Sequence, residues 1–506
     1  MATVHAVILA AGEGSRMKSE LPKVLHNICG RSMIAYAIDL AASVGARQPV
    51  IVLGHGAEQV KPVLPKEAKV IIQSKQHGTG DAVLSAKRAI GSQGDVLILY
   101  GDTPLLRRGT VQRLIEQHVK TGATCSLLTA HLADPSGYGR IVRNELNAIT
   151  GVVEESEAGA AQRTIREINV GPLVCKAAAL LEALETVKPS GSKREIFLTH
   201  IISHIARQEN AKVHAVRVEE TAEALGVNSR SDLARAIGVI RQRIVDAHLN
   251  NGVTIEETAS TYIEHGVAIG ADTVIRPYTV IHSGVTIGKR CTIGPFTRLR
   301  NGVAVADDSR IGSFAELVRT KVGRRVRISH VSYLGDAIVE DDVNIGAGTI
   351  TANYDGREKH TTHIGKGAFI GSDTVLIAPV KIGAGAVTGA GSVVTKAHDV
   401  PNRGVVVGVP ARAFVRDGKA GGPARPIDGR KAPTNGAAAR AAAERPSAKP
   451  AAGRTARKPA RTRPAAKARV KLKTRKRTRP TRRARVVRRP AARRARATRV
   501  TQRSRR

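Results

Sequence analysis

Two stretches of this chain, far apart in sequence, carry side chains able to do chemistry. The first is the loop Leu9-Ala10-Ala11-Gly12-Glu-Gly-Ser-Arg16-Met, followed closely by Leu21-Pro22-Lys23. Closely spaced glycines let backbone N–H groups approach phosphate. Two fixed cations, Arg16 and Lys23, beside such a cradle suit charge neutralisation in phosphoryl or nucleotidyl transfer. Gln73, the run Gln76-His-Gly78-Thr79-Gly-Asp81 and Tyr100-Gly101-Asp102 come next, and Asp102 ends an apolar run, where ligands bind in open α/β sheets. The second stretch centres on His330 in Ile-Ser-His-Val-Ser-Tyr333-Leu-Gly-Asp336. Imidazole titrates where a general base is useful, and Arg300 and Lys359 are residue types found around phosphates. Each feature alone also has a plain reading: a structural glycine turn, an aspartate in a surface turn, a solvated histidine. Ser15, Lys18 and His77 acquire no unique role.

Side chains so placed need scaffolds, and the chain divides by pattern into four. Over 1–228, apolar β-rich runs (His5–Ala11, Pro49–Leu53, Val70–Gln73, Val96–Tyr100) alternate with helix-like segments (Met33–Val44, Gly80–Ile90). Such alternation predicts a parallel sheet covered on both faces. Residues 229–250 predict a helix, capped by Ser229 or Ser231, with Leu233, Ile237, Ile240, Ile244 and Leu249 as its apolar stripe. Over 251–415 the aliphatic residues fall every sixth position from Ile263 to Leu317. The register slips by one to Val322, Ile328 and Leu334, and the period resumes at Ile364. A six-residue period predicts a parallel β-helix whose coils are three short strands, with an interruption at Asn353–His363 of the kind that carries function in solenoids.

The fourth region, 416–506, differs in kind. Residues 419–506 hold 32 Lys/Arg against Asp428 and Glu444, or +30 of the chain's formal +39, and no aromatic residue. Apolar burial there cannot offset chain entropy and like-charge repulsion, so disorder is expected. Its charge suits nonspecific binding of nucleic acid or another polyanion, with an anionic membrane surface or a merely solubilising role as alternatives. The chain has no Trp and only 2% aromatics. Four cysteines without paired spacing exclude a disulfide framework and a Cys-rich zinc site, and suit a reducing, cytoplasmic setting. No apolar run approaches the length of a transmembrane span, and the first apolar run reads as a strand and not a signal peptide.

The string LAAGEGSRMKSELPK resembles the signature of sugar-nucleotide pyrophosphorylases. Gln73, the Gln76–Asp81 segment, Tyr100-Gly-Asp102, Gly137-Tyr-Gly139-Arg, Glu154, Asn169 and Gly226-Val-Asn228 continue the series in order. With the hexapeptide solenoid, residues 4–412 resemble the bifunctional N-acetylglucosamine-1-phosphate uridylyltransferase / glucosamine-1-phosphate acetyltransferases. The resemblance implies a Rossmann-like nucleotidyltransferase domain joined to a left-handed parallel β-helix, cytoplasmic trimers, and UDP-N-acetylglucosamine for cell-wall synthesis. It implies Mg²⁺ on Asp102 and Asn228, with Arg16 and Lys23 steadying the α-phosphate of UTP. Leu9, Ala10, Ala11, Gly12, Tyr100 and Gly101 would line the nucleotide, and Gln73, Gly78 and Thr79 would select uracil. Gly139, Glu154 and Asn169 would bind N-acetylglucosamine 1-phosphate. In the solenoid, His330 would be the general base for glucosamine 1-phosphate attacking acetyl-CoA, with Glu316 orienting it. Arg300, Tyr333, Asn344 and Lys359 match sugar-phosphate ligands; Ala347, Asn353, Tyr354, Ser372 and Ala390 match coenzyme positions.

Three departures stand out. Val318 occupies the position of a family lysine two residues after Glu316, and Gly408 that of an arginine near the coenzyme. The solenoid between Asn228 and His330 reads about two coils short. Three functions therefore stay open at this level: the bifunctional enzyme, a uridylyltransferase whose solenoid serves assembly only, and a polyanion-binding protein on an old enzyme scaffold.

Overall fold

The computed structural model describes residues 4–46, 48–189, 195–396 and 398–413. The expectation for the basic tail lies outside the described residues. In the first half, strands β1 (Val4–Ala10), β2 (Val50–Leu53), β3 (Lys69–Ile72), β4 (Asp95–Tyr100), β5 (Cys125–His131), β8 (Glu167–Lys176) and β9 (Val213–Arg217) form one sheet in the order β9-β5-β8-β4-β1-β2-β3. A hairpin of β6 (Arg140–Arg143) and β7 (Ile149–Val153) hangs from β8.

β1 reads VHAVILA because both its faces are covered. Ala6, Ile8 and Ala10 pack with Ile34 and Ala37 of helix α1 (Met33–Ser43) and Val111 and Leu114 of α3 (Arg108–Thr121). Val7 and Leu9 turn the other way, onto Ala82 and Val83 of α2 (Thr79–Ser85) and Leu180 of α4 (Ala177–Thr186). The predicted Gly80–Ile90 helix is in fact two, since Ala86 leaves the helical region and Lys87–Ile90 starts anew. The sheet is also not wholly parallel: β8 runs antiparallel to both β4 and β5. The hairpin explains this, because it reverses the chain just before β8.

Helix α5 (Arg230–Asn250) follows, with Ser229 and Asp232 in a reciprocal capping box. Leu233, Ala236 and Ile240 seal it to Met17, Met33, Leu105 and Val227 of the first half. Its last turns reach the solenoid instead, where Val245 joins the solenoid core. One helix thus braces one half and closes the open end of the other, which a stack of coils requires for solubility.

The solenoid is a prism with three strand-bearing faces. The first runs from Thr254–Ile255 to Val405–Val407, the second from Tyr262–Ile263 to Val393–Val394, the third from Ala268–Ile269 to Val380–Ile382. Successive coils pair in parallel, with the closing strand Arg412–Ala413 antiparallel to Val405–Val407, and the periodic aliphatics meet inside: Ile281 over Ile263, Leu299 over Ile281, Leu317 over Leu299. Coils below are eighteen residues long, as from Ile293 to Ile311. The register slip gives two successive seventeen-residue coils, Ile311 to Ile328 and Ile328 to Ile345, and the interruption lengthens Val339 to Ile364 to twenty-five. At that slip β10 (Arg310–Val318) and β11 (Arg327–Gly335) run unbroken round a corner from the first face to the second.

Candidate active sites

The C-terminal ends of β1 and β4 open into a cleft of about 350 Å³. Leu9, Ala10, Ala11 and Gly12 form one wall, Tyr100 and Asp102 another, and Gln73, Gly78 and Thr79 a third. The Gly101 N–H donates to Leu9 O at 2.9 Å, which locks the two strand ends together. Lys23 reaches across from the other side of the loop. Its ammonium lies 2.5 Å from Asp102 Oδ2 and 3.2 Å from Asn228 Oδ1, and the Val227 N–H donates to Asp102 O at 2.8 Å. Three segments separated by up to 205 positions therefore converge on one point. A cation already neutralises the carboxylate–carboxamide pair. The same oxygens suit a hard divalent ion completed by phosphate oxygens, since such ions take few protein ligands beside substrate phosphates.

Beside this point lies a second lobe. Glu154 Oε1 accepts from the Thr199 hydroxyl at 2.6 Å, Asn169 N donates to Gly139 O at 2.8 Å, and Asn169 Oδ1 accepts from Gly171 N at 3.2 Å. A Cβ on Gly171 would sit 3.2 Å from the Tyr100 ring, so the backbone there passes the ring closely. Burial pushes the Glu154 carboxyl above the ordinary range, against the Thr199 hydrogen bond that lowers it. At the opposite end Gly78 stands at φ +99° with Ile196 O only 2.6 Å from where a Cβ would be, so only glycine fits. Arg16 is exposed in the turn Ser15–Met17 and does not line the cleft. Glu13, Ser15, Gln76, Glu195 and Phe197 do; the last two come from a segment whose sequence offers no motif.

On the solenoid, His330 lies exposed at the corner between the first two faces, paired with Ser313 below. The coils stack so that this corner forms a column. Gly348 N donates to Val331 O at 2.7 Å, Asp373 N to Ala347 O at 2.7 Å, and Gly391 N to Ser372 O at 2.8 Å. Ala347, Ser372 and Ala390 thus climb directly above His330, and Val393 N donates to Gly408 O at the next level. At about 4.8 Å per coil the column from His330 to Ala390 spans roughly 14 Å. It is lined by small residues and so leaves room for an extended ligand along the prism axis.

Arg300 and Tyr333 belong to the second face, whereas Asn344 lies on the first, over Arg327 and under Phe369. One chain does not gather them on one surface. The insertion starts at Asn353, whose amide donates to Asp336 Oδ2 at 2.5 Å, and turns so that Tyr354 bridges Lys359. Asp336 also accepts two bonds from Arg319, at 2.5 and 2.7 Å. Arg319, foremost, and Asn353 hold the Asp336 carboxyl below its ordinary range. Arg319 is thereby committed, and Val318 is only 4% exposed, so neither supplies the missing lysine's charge to solvent. The role expected of Glu316 needs correction. Its carboxylate lies 3.2 Å from Arg300 and 3.8 Å from Arg298, and the register sets it beside Tyr333, with Ser313 beside His330.

Residues 6–204 match the MobA-like NTP transferase domain family, and residues 361–396 match the bacterial transferase hexapeptide family of six repeats. Bifunctional protein GlmU of Heliobacterium modesticaldum is 41% identical over 430 residues, covering 78% of this chain and 93% of that protein. Bifunctional protein GlmU of Rubrobacter xylanophilus is 41% identical over 448 residues, covering 82% and 94%. The chain belongs to the GlmU family. It is a bifunctional transferase of UDP-N-acetylglucosamine synthesis, nucleotidyltransferase in front and acetyltransferase behind. The 430 aligned positions of the first relative take in 78% of 506 residues, about 395. About 35 of those aligned positions have no counterpart in this chain.

Proposed function

We propose that the front cleft binds UTP and N-acetylglucosamine 1-phosphate, with Asp102 and Asn228 holding Mg²⁺. The sugar-phosphate oxygen attacks the α-phosphorus of UTP, the bond to the bridging oxygen breaks, and pyrophosphate leaves with the electron pair. That oxygen is anionic near neutral pH, so no side-chain base is required; alignment and charge compensation supply the rate. Bound Mg²⁺ adds neutralisation of the phosphates. Lys23 moves from Asp102 to the α-phosphate, Arg16 closes over it from the exposed turn, and the sugar lies in the lobe of Gly139, Glu154 and Asn169. The convergence of Lys23, Asp102 and Asn228 at the strand ends is the observation that carries this reading.

In the solenoid, His330 takes a proton from the amine of glucosamine 1-phosphate as that nitrogen attacks the thioester carbonyl and coenzyme A departs. The small-residue column above His330 supports an acetyl-CoA site at Ala347, Ser372 and Ala390, with Asn353 and Tyr354 from the insertion. Arg300, Tyr333, Asn344 and Lys359 would hold the sugar phosphate. Their division between two faces supports a homotrimer in which adjacent solenoids complete each site. Val318 removes one phosphate contact, worth about 1.5–3 kcal/mol for a charged hydrogen bond, so a raised KM for glucosamine 1-phosphate is expected.

Asp102→Ala is expected to abolish pyrophosphate release and spare coenzyme A release, and His330→Ala to do the reverse. Equal loss of both activities in folded variants would refute the two-site assignment. A protein using UTP and acetyl-CoA belongs in the cytoplasm, in keeping with four buried free cysteines; among the described residues no helix is long and apolar enough to cross a membrane. The basic tail would bind polyanions. Deleting 416–506 should remove salt-sensitive retention on DNA and leave both activities, and unchanged retention would refute that role.

A further inference from the structure

Gln73 is 5% exposed and lines the cleft beside Gly78 and Thr79. Its amide nitrogen lies 3.2 Å from Gly78 O and 2.6 Å from Asp81 Oδ2. Both partners are oxygens that can only accept: one is a peptide carbonyl, the other a carboxylate. The nitrogen must therefore face them, whichever way a side-chain amide is drawn, because the opposite orientation would set three lone-pair-bearing oxygens against one another. Both amide hydrogens are then spent. What Gln73 has left for a ligand is its carbonyl oxygen, an acceptor with no donor to accompany it.

That asymmetry has a chemical consequence at a base-reading position. The edge of uracil carries an imide N–H, and the same ring position in cytosine carries a lone pair. An acceptor with a fixed orientation rewards the first and opposes the second, and a site built around an unpaired polar group rejects the wrong partner strongly. A free glutamine would do neither, since a half-turn of its amide exchanges acceptor for donor at little cost. Gly78 O alone holds the nitrogen weakly, at the longer distance, and also accepts from Ala82 N at 3.2 Å. The short bond to the carboxylate is the one that decides the orientation.

We propose that Asp81 is a specificity-positioning residue: by forcing the Gln73 amide to present only its oxygen, it makes the cleft select a uracil nucleotide over a cytosine one. Asp81 touches no substrate in this role and acts through Gln73. Its place in the first turn of α2 fixes the carboxylate relative to the cleft, and its backbone carbonyl is tied to the Ser85 hydroxyl at 2.9 Å. The inference rests on the reading of the front cleft as a UTP site.

Asp81→Asn tests it with little change of shape. An asparagine can accept from or donate to Gln73, so it stabilises both amide orientations. The measurement is kcat/KM for pyrophosphate release with UTP and with CTP, in full-length protein, beside Asp81→Glu and Asp81→Ser. The expected result is a UTP:CTP ratio reduced tenfold or more in Asp81→Asn and Asp81→Ser and restored toward the parent value in Asp81→Glu. A ratio within twofold of the parent in both, with melting temperatures unchanged, would overturn the inference. So would an equal loss with both nucleotides, which is the mark of a purely structural residue. A parent protein that shows no preference for UTP, or releases no pyrophosphate, would instead overturn the reading of the cleft itself.

Discussion

The Glu154 carboxyl illustrates how a single group's surroundings set a testable property. Burial raises its pKa, and the Thr199 hydroxyl only partly offsets that. In the fold the neutral form is favoured relative to the unfolded chain. The stability this contributes is full below the ordinary glutamate pKa and is lost as pH climbs through the raised one. Glu154→Gln removes the ionisation, so the fall in melting temperature between pH 4 and pH 8 should be smaller in the variant. An identical pH dependence in both proteins would mean that solvent reaches the lobe. Residues of this kind divide sharply in how far sequence reveals them. Lys23, Asp102 and Gln73 sit in strings that resemble the phosphate- and uracil-binding segments of a known family. The partner of Gln73 was readable only as the end of a motif, because nothing in one dimension says which acceptor an amide will meet. Glu316 shows the opposite failure: placing it with His330 ignored that the corner puts Ser313 there.

Elements carry the next layer. The six-residue period translated directly into strands because each coil buries one aliphatic side chain per face, and the slip after Leu317 became a seventeen-residue coil. The antiparallel β8 was not legible, since a buried strand has the same apolar composition whichever way it runs. Nor was the outside of the solenoid. Tyr278, Phe296 and Phe314 stack at one corner with centroids 4.8 and 5.1 Å apart and planes 2° and 7° from parallel. They are 58%, 46% and 61% exposed, and Val331, next to His330, continues the column at 56%. A chain with only five Phe and seven Tyr places three of them in one exposed ladder, an apolar strip of the kind that marks a protein contact. Its continuity with the His330 corner, where the proposed acetyl site would draw on a neighbouring solenoid, makes it the surface expected to lie in the contact between copies. Phe296→Ser with Phe314→Ser should lower the assembly mass measured by light scattering and reduce coenzyme A release at least a hundredfold. Pyrophosphate release should stay within threefold. A full-mass assembly from the double variant would remove the ladder from the interface.

At the scale of the whole molecule, the two chemistries are joined by a helix and a stack of coils. α5 ties the first half to the solenoid at one end only, with Val245 in the solenoid core and Leu233, Ala236 and Ile240 against the nucleotidyltransferase. His330 lies further up the stack, in the coil that runs from Ile328 to Ile345. In a solenoid each coil touches only its neighbours, so stability and position add coil by coil. The intervening coils then act as a spacer of roughly 5 Å each and not as a coupling device. A tandem duplication of residues 274–309 tests this, because Val274 and Arg310 occupy equivalent positions on the first face and the junction keeps register. The duplication adds two coils and lifts His330 about 10 Å from α5. Both kcat/KM values should stay within threefold of the parent if each site is built locally. Loss of acetyl transfer in a correctly assembled, folded duplicate would show that the distance between the two halves is itself part of the acetyltransferase site.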